Sequence, residues 1–405
     1  MPKDKRYYGK KRSVRGGEGL MVVADPLSYD LHDLETPSTI SRSHIKGHLQ
    51  STIIQYSPMA QLSHQKAHLP THSERLFGLL SLPGKEEIQA CWELCRLHNN
   101  IGFWVVWLPA GIRRVSLPSG GFRADDSIAA WSIAMYYHAN PTVPGLVCLH
   151  TAGLFVPLCF GIKSLIMTID DLLDYDVDAL VERTKNRALP RGAISLDRAW
   201  MFFALQVLLG VYLALTVLKP TTMYISMIAW PVYIIYPTLK RWMDFAPIPL
   251  GFMFAMGIFM GWSQLSPDNN VPWHILVPVY LSCVFWTVAY ETVYQHQDKV
   301  DDVKVGLRSM ALFCAEYTIP VCTASAVCFL LLLAYGGAMN GHGAAFYVSV
   351  LVAAGMLLSR MVKTNVDVPE DCKNLFLGTP RIGQVILAGL VVDGVARRWV
   401  EGVPL

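Results

Sequence analysis

Residues 163–178 read Lys-Ser-Leu-Ile-Met-Thr-Ile-Asp-Asp-Leu-Leu-Asp-Tyr-Asp-Val-Asp, so that five carboxylates close an apolar span. In a continuous helix, at about 100° per residue, Asp171, Asp174 and Asp178 fall within roughly 60° of one another, and Asp176 points to the opposite side. Such carboxylates repel one another unless a cation lies among them. Oxygen-only ligands favour a hard ion such as Mg²⁺, although a solvated acidic helix end has the same pattern.

A second acidic stretch ends another apolar span. Residues 290–302 read Tyr-Glu-Thr-Val-Tyr-Gln-His-Gln-Asp-Lys-Val-Asp-Asp. In a continuous helix, one face would carry five of these side chains within an angle of roughly 100° around the helix axis: Glu291, Tyr294, Asp298, Asp301 and Asp302. Carboxylates at a membrane edge are costly and mark functional sites. Two acidic stretches of this kind therefore favour a shared metal site over two acidic helix ends that only contact solvent.

The remainder of the chain has the composition of a membrane protein. Of its 405 residues, 53% are hydrophobic and 16% are charged, and the mean hydropathy is +0.34; soluble domains carry about 25% charged residues. We predict an all-α integral membrane protein with about nine transmembrane helices in a bundle around a central cavity. The predicted spans are 92–112, 143–172, 195–218, 221–239, 248–266, 272–297, 310–337, 343–363 and 379–400. Residues 124–138 form a shorter helix candidate that could lie in the interface.

The N-terminal residues 1–85 contain no apolar span and are predicted to form a polar, disordered tail, followed by a transmembrane domain over residues 86–405. The first 15 residues hold seven Lys or Arg and one Asp. This basic tail could touch anionic lipid, but no basic fold follows it, which argues against a nucleic-acid partner. No secretory signal is present near the start, and a mitochondrial presequence is only weakly indicated.

Basic residues gather in the loops on the side of the two acidic stretches. The positive-inside rule therefore places both stretches on the cytosolic side. Carboxylates from two helices, a Mg²⁺ ion and nearby cations describe a receptor for a diphosphate. The membrane location suggests that the other end of the substrate is an apolar chain, sheltered from water inside the bundle.

Both stretches resemble the signatures of the UbiA-type intramembrane prenyltransferases. The first signature, N-D-x-x-D-x-x-x-D followed by R-T-x-x-R-P-L, is matched by Asp170, Asp171, Asp174 and Asp178 and then by Arg183, Thr184, Arg187 and Leu189. The second, D-x-x-Y-A-x-x-D-x-x-x-D, is matched by Glu291, Tyr294, Asp298 and Asp302. The resemblance covers roughly residues 90–400, and the second stretch is most similar to the fungal aromatic, or meroterpenoid, branch, which is related to para-hydroxybenzoate polyprenyltransferase.

This resemblance implies transfer of an isoprenoid chain, expected to be farnesyl, from its diphosphate to an aromatic, polyketide-type phenol with Mg²⁺ as cofactor. The expected catalytic and metal-binding residues are Asp171, Asp174, Asp178, Asp298 and Asp302. Substrate contacts are expected from Lys163, Asp170, Arg183, Arg187, Lys240, Arg241, Glu291, Tyr294 and Lys299. Arg96 and Asn100 are expected to line the acceptor pocket, unless they only anchor the first span at the interface.

Three other functions stay open from the sequence. A terpene cyclase on the same scaffold would ionise the diphosphate without using an acceptor. A para-hydroxybenzoate polyprenyltransferase of ubiquinone biosynthesis would lie in the mitochondrial inner membrane, whereas the meroterpenoid enzyme is expected in the endoplasmic reticulum. A transporter would need inverted repeats or broken mid-membrane helices, which the sequence does not indicate. The expected partners are the diphosphate, the aromatic acceptor and the lipid bilayer, with no obligate protein partner.

Overall fold

The computed structural model of the chain describes residues 81–96, 128–181, 184–268 and 270–405, and within these ranges it is helical and without strands. In chain order the helices are α1 Lys85–Leu94, α2 Ile128–Ala139, α3 Gly145–Leu173, α4 Tyr175–Asp178, α5 Leu196–Val217, α6 Pro220–Ile235, α7 Pro247–Ala255, α8 Gly257–Leu265, α9 Trp273–Gln295, α10 Lys299–Val305, α11 Met310–Cys314, α12 Thr318–Met339, α13 Ala344–Lys363 and α14 Pro369–Glu401. Short 3₁₀ helices occupy Tyr236–Arg241 and Ala315–Tyr317. The predicted tail, most of the predicted first span, and both Asn100 and Arg183 lie outside the described residues.

The predicted all-α membrane fold is confirmed. Seven helical stretches of the described chain are long and apolar enough to cross a membrane: Gly145–Leu173, Leu196–Val217, Pro247–Leu265, Trp273–Gln295, Met310–Met339, Ala344–Lys363 and Pro369–Glu401. The span predicted at 221–239 is shorter in the structure, because α6 gives way to the 3₁₀ helix at Tyr236. The described residues therefore do not confirm the predicted number of spans.

Helix α2 lies inside the bundle, and the suggestion that this segment lies in the membrane interface is wrong. Trp131, Ala134 and Met135 are all buried in the main core. The indole nitrogen of Trp131 donates to the carbonyl oxygen of Gly383 in α14 at 3.2 Å. An interfacial helix needs one polar face and one apolar face. Ile128–Ala139 lacks this separation, which could have indicated its position in the core.

Helix α9 forms the axis of the bundle, in contact with α7, α12 and α14. Its Trp286 stacks on Trp131 of α2 and on Phe329 of α12, with ring centroids 5.6 and 5.1 Å apart, and Trp131 and Phe329 also contact each other at 6.5 Å. These large rings fill the interior where helices meet, because lipid provides no hydrophobic force to hold helices together and close packing must do so.

The length of α3 places the first acidic stretch at the membrane boundary. Its 29 residues extend over about 43 Å at 1.5 Å per residue, which exceeds the roughly 30 Å of the hydrocarbon core. Asp170 and Asp171, in its last turn, therefore lie at headgroup depth, where carboxylates can meet a polar substrate.

Close packing of α8 against α2 depends on glycine. A Cβ atom at Gly261 would lie 2.2 Å from Ser132 Oγ and 2.6 Å from the carbonyl oxygen of Ala129. We expect Gly261→Ala to lower the free energy of unfolding by about 1–3 kcal/mol, because the helices must move apart to admit the methyl group. Thermal unfolding of the purified protein in detergent measures this change.

Gly210 provides the matched control, since a Cβ atom there would meet nothing within 4 Å. Gly210→Ala lies within α5 and is expected to be neutral or to stabilise by up to about 1 kcal/mol, because alanine restricts the unfolded chain. An equal loss of stability in both variants would contradict the packing argument.

Candidate active site

Both acidic stretches contain a break in the helix, and the prediction of one continuous helical stripe in each is wrong. Asp174 follows the last residue of α3 with φ −105° and ψ 8°, and Asp298 precedes α10 with φ −101° and ψ 1°. After each break a short turn returns the chain: the amide of Asp178 donates to the carbonyl oxygen of Asp174 at 2.7 Å, and that of Asp302 to Asp298 at 2.8 Å. The two motifs therefore share one local backbone geometry.

Arginine side chains bring the carboxylates of the first motif together despite the break. Arg187 Nη1 lies 3.2 Å from Asp171 Oδ1 and 2.6 Å from Asp178 Oδ2. Arg96 Nη2 lies 2.7 Å from the same Asp171 oxygen and 3.3 Å from Asp170 Oδ2. Asp171 and Asp178 thus share one cation, as the predicted grouping required.

A third arginine holds the residues at the break. Arg241 Nη2 donates to Asp174 Oδ1 at 3.1 Å, to Asp176 Oδ1 at 3.0 Å and to the carbonyl oxygen of Leu173 at 2.7 Å. The side chain of Asp176 is 54% exposed, against 26% for Asp174. Asp176 therefore lies at the rim, as the outward orientation predicted, but it shares Arg241 with a site residue and is not isolated from the site.

The electrostatics of the first motif indicate an excess of negative charge. Burial, together with the charge of Asp170, raises the pKa of Asp174 to about 6. Burial also raises the pKa of Asp178, and Arg187 offsets this only in part. By contrast, the hydrogen bond from Arg241 lowers the pKa of the exposed Asp176. The carboxylates inside the motif would gain from a further cation, and the one at the rim would not.

The Tyr236–Arg241 turn joins the two motifs. Burial disfavours the charged form of Lys240. The nearby carboxylates, above all those of Asp302 and Glu291, favour the charged form more strongly, so the pKa of Lys240 is raised. Asp170 of the first motif also contributes to that shift. The pKa of Tyr236 is raised by burial and then by the charges of Glu291 and Asp170. Contacts agree with this: Arg241 of the turn pairs with Asp174, and the carbonyl oxygen of Lys240 accepts from the amide of Arg308 at 2.8 Å. The turn therefore lies against the first motif and against the chain that follows the second.

The second motif adds an aromatic surface beside its carboxylates. Asp302 is buried, and Tyr294 stacks on Phe376 of α14 with ring centroids 4.0 Å apart. Tyr290, one turn before Tyr294, contacts the same phenyl ring at 5.6 Å. The sequence interpretation missed Phe376 and Tyr290. The spacing of Tyr290 and Tyr294 on one helical face could have indicated the second of these, but no local signal marks Phe376.

Two of the predicted phosphate contacts are engaged elsewhere in the structure. Lys163 is buried, and its Nζ donates to the carbonyl oxygen of Arg96 at 2.9 Å. Lys299 pairs with Asp367 in the α13–α14 connection at 2.5 Å. Lys163 thus fixes the backbone that carries Arg96, which adopts φ 49°, a conformation rare for a non-glycine residue and often found at functional sites.

The segment carrying Arg187 is packed onto the bundle. Thr184 and Leu189 are buried, and Thr184 Oγ1 donates to the carbonyl oxygen of Asp178 at 2.9 Å. Arg191, at the other end of the segment, pairs with Glu93 of α1 at 2.7 Å. Arg187 therefore reaches the carboxylates from an anchored backbone.

The donor set fits magnesium. The acidic side chains of the two motifs offer carboxylate oxygens as donors. Tyr236 of the turn, on which acidic groups of both motifs act, adds a hydroxyl group. Hard oxygen ligands suit Mg²⁺, which keeps coordination positions for phosphate oxygens. The metal ligands expected from the sequence, Asp171, Asp174, Asp178, Asp298 and Asp302, therefore stay a prediction that is consistent with this donor chemistry.

A separate polar cluster lies between α2, the α12–α13 connection and α14. Asp393 Oδ2 lies 2.9 Å from His342 Nδ1 and 3.3 Å from His138 Nε2 and also accepts from the amide of Gly343. These ligand types could hold a metal. However, the Asn340 amide nitrogen lies 3.1 Å from His342 Nε2 and also donates to a carbonyl oxygen, so Nδ1 of His342 carries the proton. We interpret this cluster as a hydrogen-bonded clamp between helices.

Comparison with known proteins agrees with this geometry. Residues 127–379 match the model of the UbiA prenyltransferase family. The chain is 33% identical over 298 residues to the mitochondrial 4-hydroxybenzoate polyprenyltransferase of Schizosaccharomyces pombe, covering 72% of this chain and 81% of that protein. It is 30% identical over 309 residues to 4-hydroxybenzoate geranyltransferase 2 of Lithospermum erythrorhizon, covering 76% and 91%.

Solved structures show the same fold. A UbiA homolog from Aeropyrum pernix K1 aligns with a TM-score of 0.55 at 23% identity, covering 67% of this chain and 98% of that one. A UbiA homolog from Archaeoglobus fulgidus bound to GPP and Mg²⁺ aligns with a TM-score of 0.51 at 16% identity, covering 76% and 99%. The match to the family model over residues 127–379 and the 33% identity to a curated relative, together with this shared fold, show that the chain belongs to the UbiA prenyltransferase family.

Proposed function

We propose that this protein transfers an isoprenoid chain from its diphosphate to an aromatic acceptor, with Mg²⁺ held between the two acidic motifs. The observation that carries the proposal is the position of the Tyr236–Arg241 turn. Arg241 pairs with Asp174 of the first motif, and the carbonyl oxygen of Lys240 accepts from the amide of Arg308, just after the second motif. Two carboxylate groups facing each other across a cationic turn form a receptor for a metal-bound diphosphate. Such a receptor has no purpose in a protein that handles only uncharged lipids.

The chain's own residues have three roles in this reaction. Arg187 and Arg241 can exchange a carboxylate contact for a phosphate oxygen, as arginine binds both with the same paired geometry. Lys240 adds a point charge between the motifs. Mg²⁺ bound to the carboxylates would neutralise charge on the leaving diphosphate. As the bond between C1 and the diphosphate oxygen breaks, the stacked rings of Tyr294 and Phe376 can stabilise the allylic cation through their faces.

The acceptor is proposed to be a phenolic acid of the 4-hydroxybenzoate type. Relatives from fungi, animals and plants carry this acceptor in their names. The polyketide-type phenol preferred from the sequence remains a second proposal, since no comparison singles out the meroterpenoid branch. The farnesyl chain length likewise remains a proposal. Because several relatives are named as mitochondrial, the mitochondrial inner membrane becomes the favoured location over the endoplasmic reticulum.

A product assay separates the candidate functions. Membranes containing the protein are incubated with geranyl, farnesyl or longer prenyl diphosphates, Mg²⁺, and either 4-hydroxybenzoate or a polyketide phenol. Prenylated 4-hydroxybenzoate is the expected product. Cyclised hydrocarbon formed equally with and without acceptor would instead identify a terpene cyclase, and no consumption of any diphosphate would contradict the proposed function.

Metal removal gives a direct prediction. Chelation with EDTA is expected to abolish turnover, and added Mg²⁺ is expected to restore it, because the motif carboxylates and the diphosphate repel one another without a cation. Diphosphate release measured before and after chelation tests this. Full activity in rigorously chelated membranes would contradict the metal assignment.

A further inference from the structure

Two arginines at the α13–α14 hairpin lie apart from the active site. Arg360 is in the last turn of α13, and Arg381 is in the first half of α14. The connection between these helices lies at the same end of the bundle as the acidic motifs, because its Asp367 pairs with Lys299. The arginine pair therefore lies near the membrane boundary on the active-site side.

The guanidinium group of Arg360 is seated against the backbone of α14. A Cβ atom at Gly378 would overlap this guanidinium group, so only glycine leaves room for it. Phe376, which stacks on Tyr294, precedes Gly378 by two residues and therefore points to roughly the opposite side of the helix, about 200° away. The arginine pair accordingly lies across α14 from the active site.

The two arginines bring like charges together. Arg381 follows Gly378 by three residues and therefore lies within about 60° of the face of α14 against which the Arg360 guanidinium group is seated, and its charge opposes that of Arg360. Among the described residues, neither guanidinium group forms a hydrogen bond or an ion pair. Two like charges close together at a membrane edge, where the dielectric constant is low, are costly unless an anion lies between them.

The neighbouring surface of α14 is apolar and exposed. Arg381 shares one helical stripe with Ala388, Val392 and Trp399, at spacings of seven, four and seven residues. The side chains of Val392 and Trp399 are 56% and 79% exposed, which suits contact with lipid chains. This face of α14 thus offers two guanidinium groups at its headgroup end and an apolar surface below them.

We propose that this face of α14 binds one anionic phospholipid, with its phosphodiester between Arg360 and Arg381 and its acyl chains along the exposed stripe of α14. Guanidinium groups bind phosphate oxygens in pairs, and basic pockets between transmembrane helices are typical headgroup sites. A zwitterionic lipid fits less well, because its ammonium group returns a positive charge to the pair.

The test is lipid retention by the purified full-length protein in nonionic detergent. Equimolar dioleoyl-phosphatidylglycerol and dioleoyl-phosphatidylcholine are added, and bound lipid is counted by native mass spectrometry. The wild type is expected to prefer phosphatidylglycerol by about tenfold or more. Arg360→Gln and Arg381→Gln are each expected to lower its affinity about fivefold, and the double variant about thirtyfold. Prenyl transfer should remain near the wild-type rate.

Three controls make the result decisive. Lys373→Gln removes a cation from the same end of α14 that is already paired with Glu370, and it should retain the lipid preference. Gly378→Ala keeps both charges but displaces the Arg360 guanidinium group, and it should weaken binding as Arg360→Gln does. Inorganic phosphate should neither stabilise the protein nor compete at millimolar concentration. Unchanged phosphatidylglycerol binding in the double variant, or equal stabilisation by inorganic phosphate, would overturn the proposal.

Discussion

Asp174→Asn is expected to lower kcat/KM for the prenyl diphosphate by about 10²–10³-fold, the range seen when one preorganised charge contact to a reacting group is lost. Asparagine keeps the size of the side chain but removes a carboxylate whose pKa is already raised to about 6 by burial and by Asp170. Because burial and Asp170 disfavour the charged form of this carboxyl group, a bound cation would stabilise it. The measurement is steady-state prenyl transfer at saturating acceptor and several Mg²⁺ concentrations, and part of the loss should appear as weaker Mg²⁺ activation.

Asp176→Asn is the matched control, two residues away and bound to the same Arg241 nitrogen. Its carboxylate is mostly exposed, so removal of its charge should change kcat/KM by about threefold at most, the range of surface ion pairs. Protein amounts and thermal stability must match between the variants. Comparable losses in both would show that the break at Asp174 does not separate site from rim.

The membrane fold could be predicted from the sequence because span length and apolar composition are local properties. The segments predicted at 143–172 and 343–363 became α3 and α13 within two residues of their ends. The position of α2 could not be predicted in this way. Whether a short apolar helix lies in the interface or in the core depends on the helices packed around it, and Trp131 has its partners in α9, α12 and α14.

The site was predictable as a set of residues, and less so as a geometry. Counting helical angles through Asp174 assumed a continuous helix, and the backbone turns at that residue instead. Asp171 and Asp178 nevertheless lie close together, because Arg187, nine residues after Asp178, pairs with both. Phe376 escaped prediction for the same reason: its role depends on a contact between α9 and α14 that no sequence spacing reports.

Arg187→Ala is expected to lower kcat/KM by about 10²-fold, with the loss appearing mainly in binding of the diphosphate. The guanidinium group links Asp171 and Asp178. Without it these two carboxylates repel each other, and one contact to the phosphate is also lost.

Arg191→Ala is the control in the same segment. Arg191 pairs with Glu93 of α1, away from the motif, so its loss should change kcat/KM by about threefold at most. If the basic residues of this segment served only to set membrane topology, both variants should insert normally and retain similar activity.

Limited proteolysis distinguishes a closing segment from a static one. Lys185 and Arg191 provide exposed trypsin sites on either side of Arg187. A non-hydrolysable prenyl diphosphate analogue with Mg²⁺ is expected to slow cleavage at these sites in the wild type, because the diphosphate would bind Arg187 from within the site and restrict the local opening that trypsin needs. The same analogue should give little protection in Arg187→Ala and full protection at Lys185 in Arg191→Ala.

Since Leu189 is buried and Thr184 is hydrogen-bonded to Asp178, the segment has little freedom to move as a whole, and protection should depend on Arg187 alone. Identical cleavage with and without the analogue in all three proteins would contradict a closing role and leave Arg187 as a fixed contact to the carboxylates.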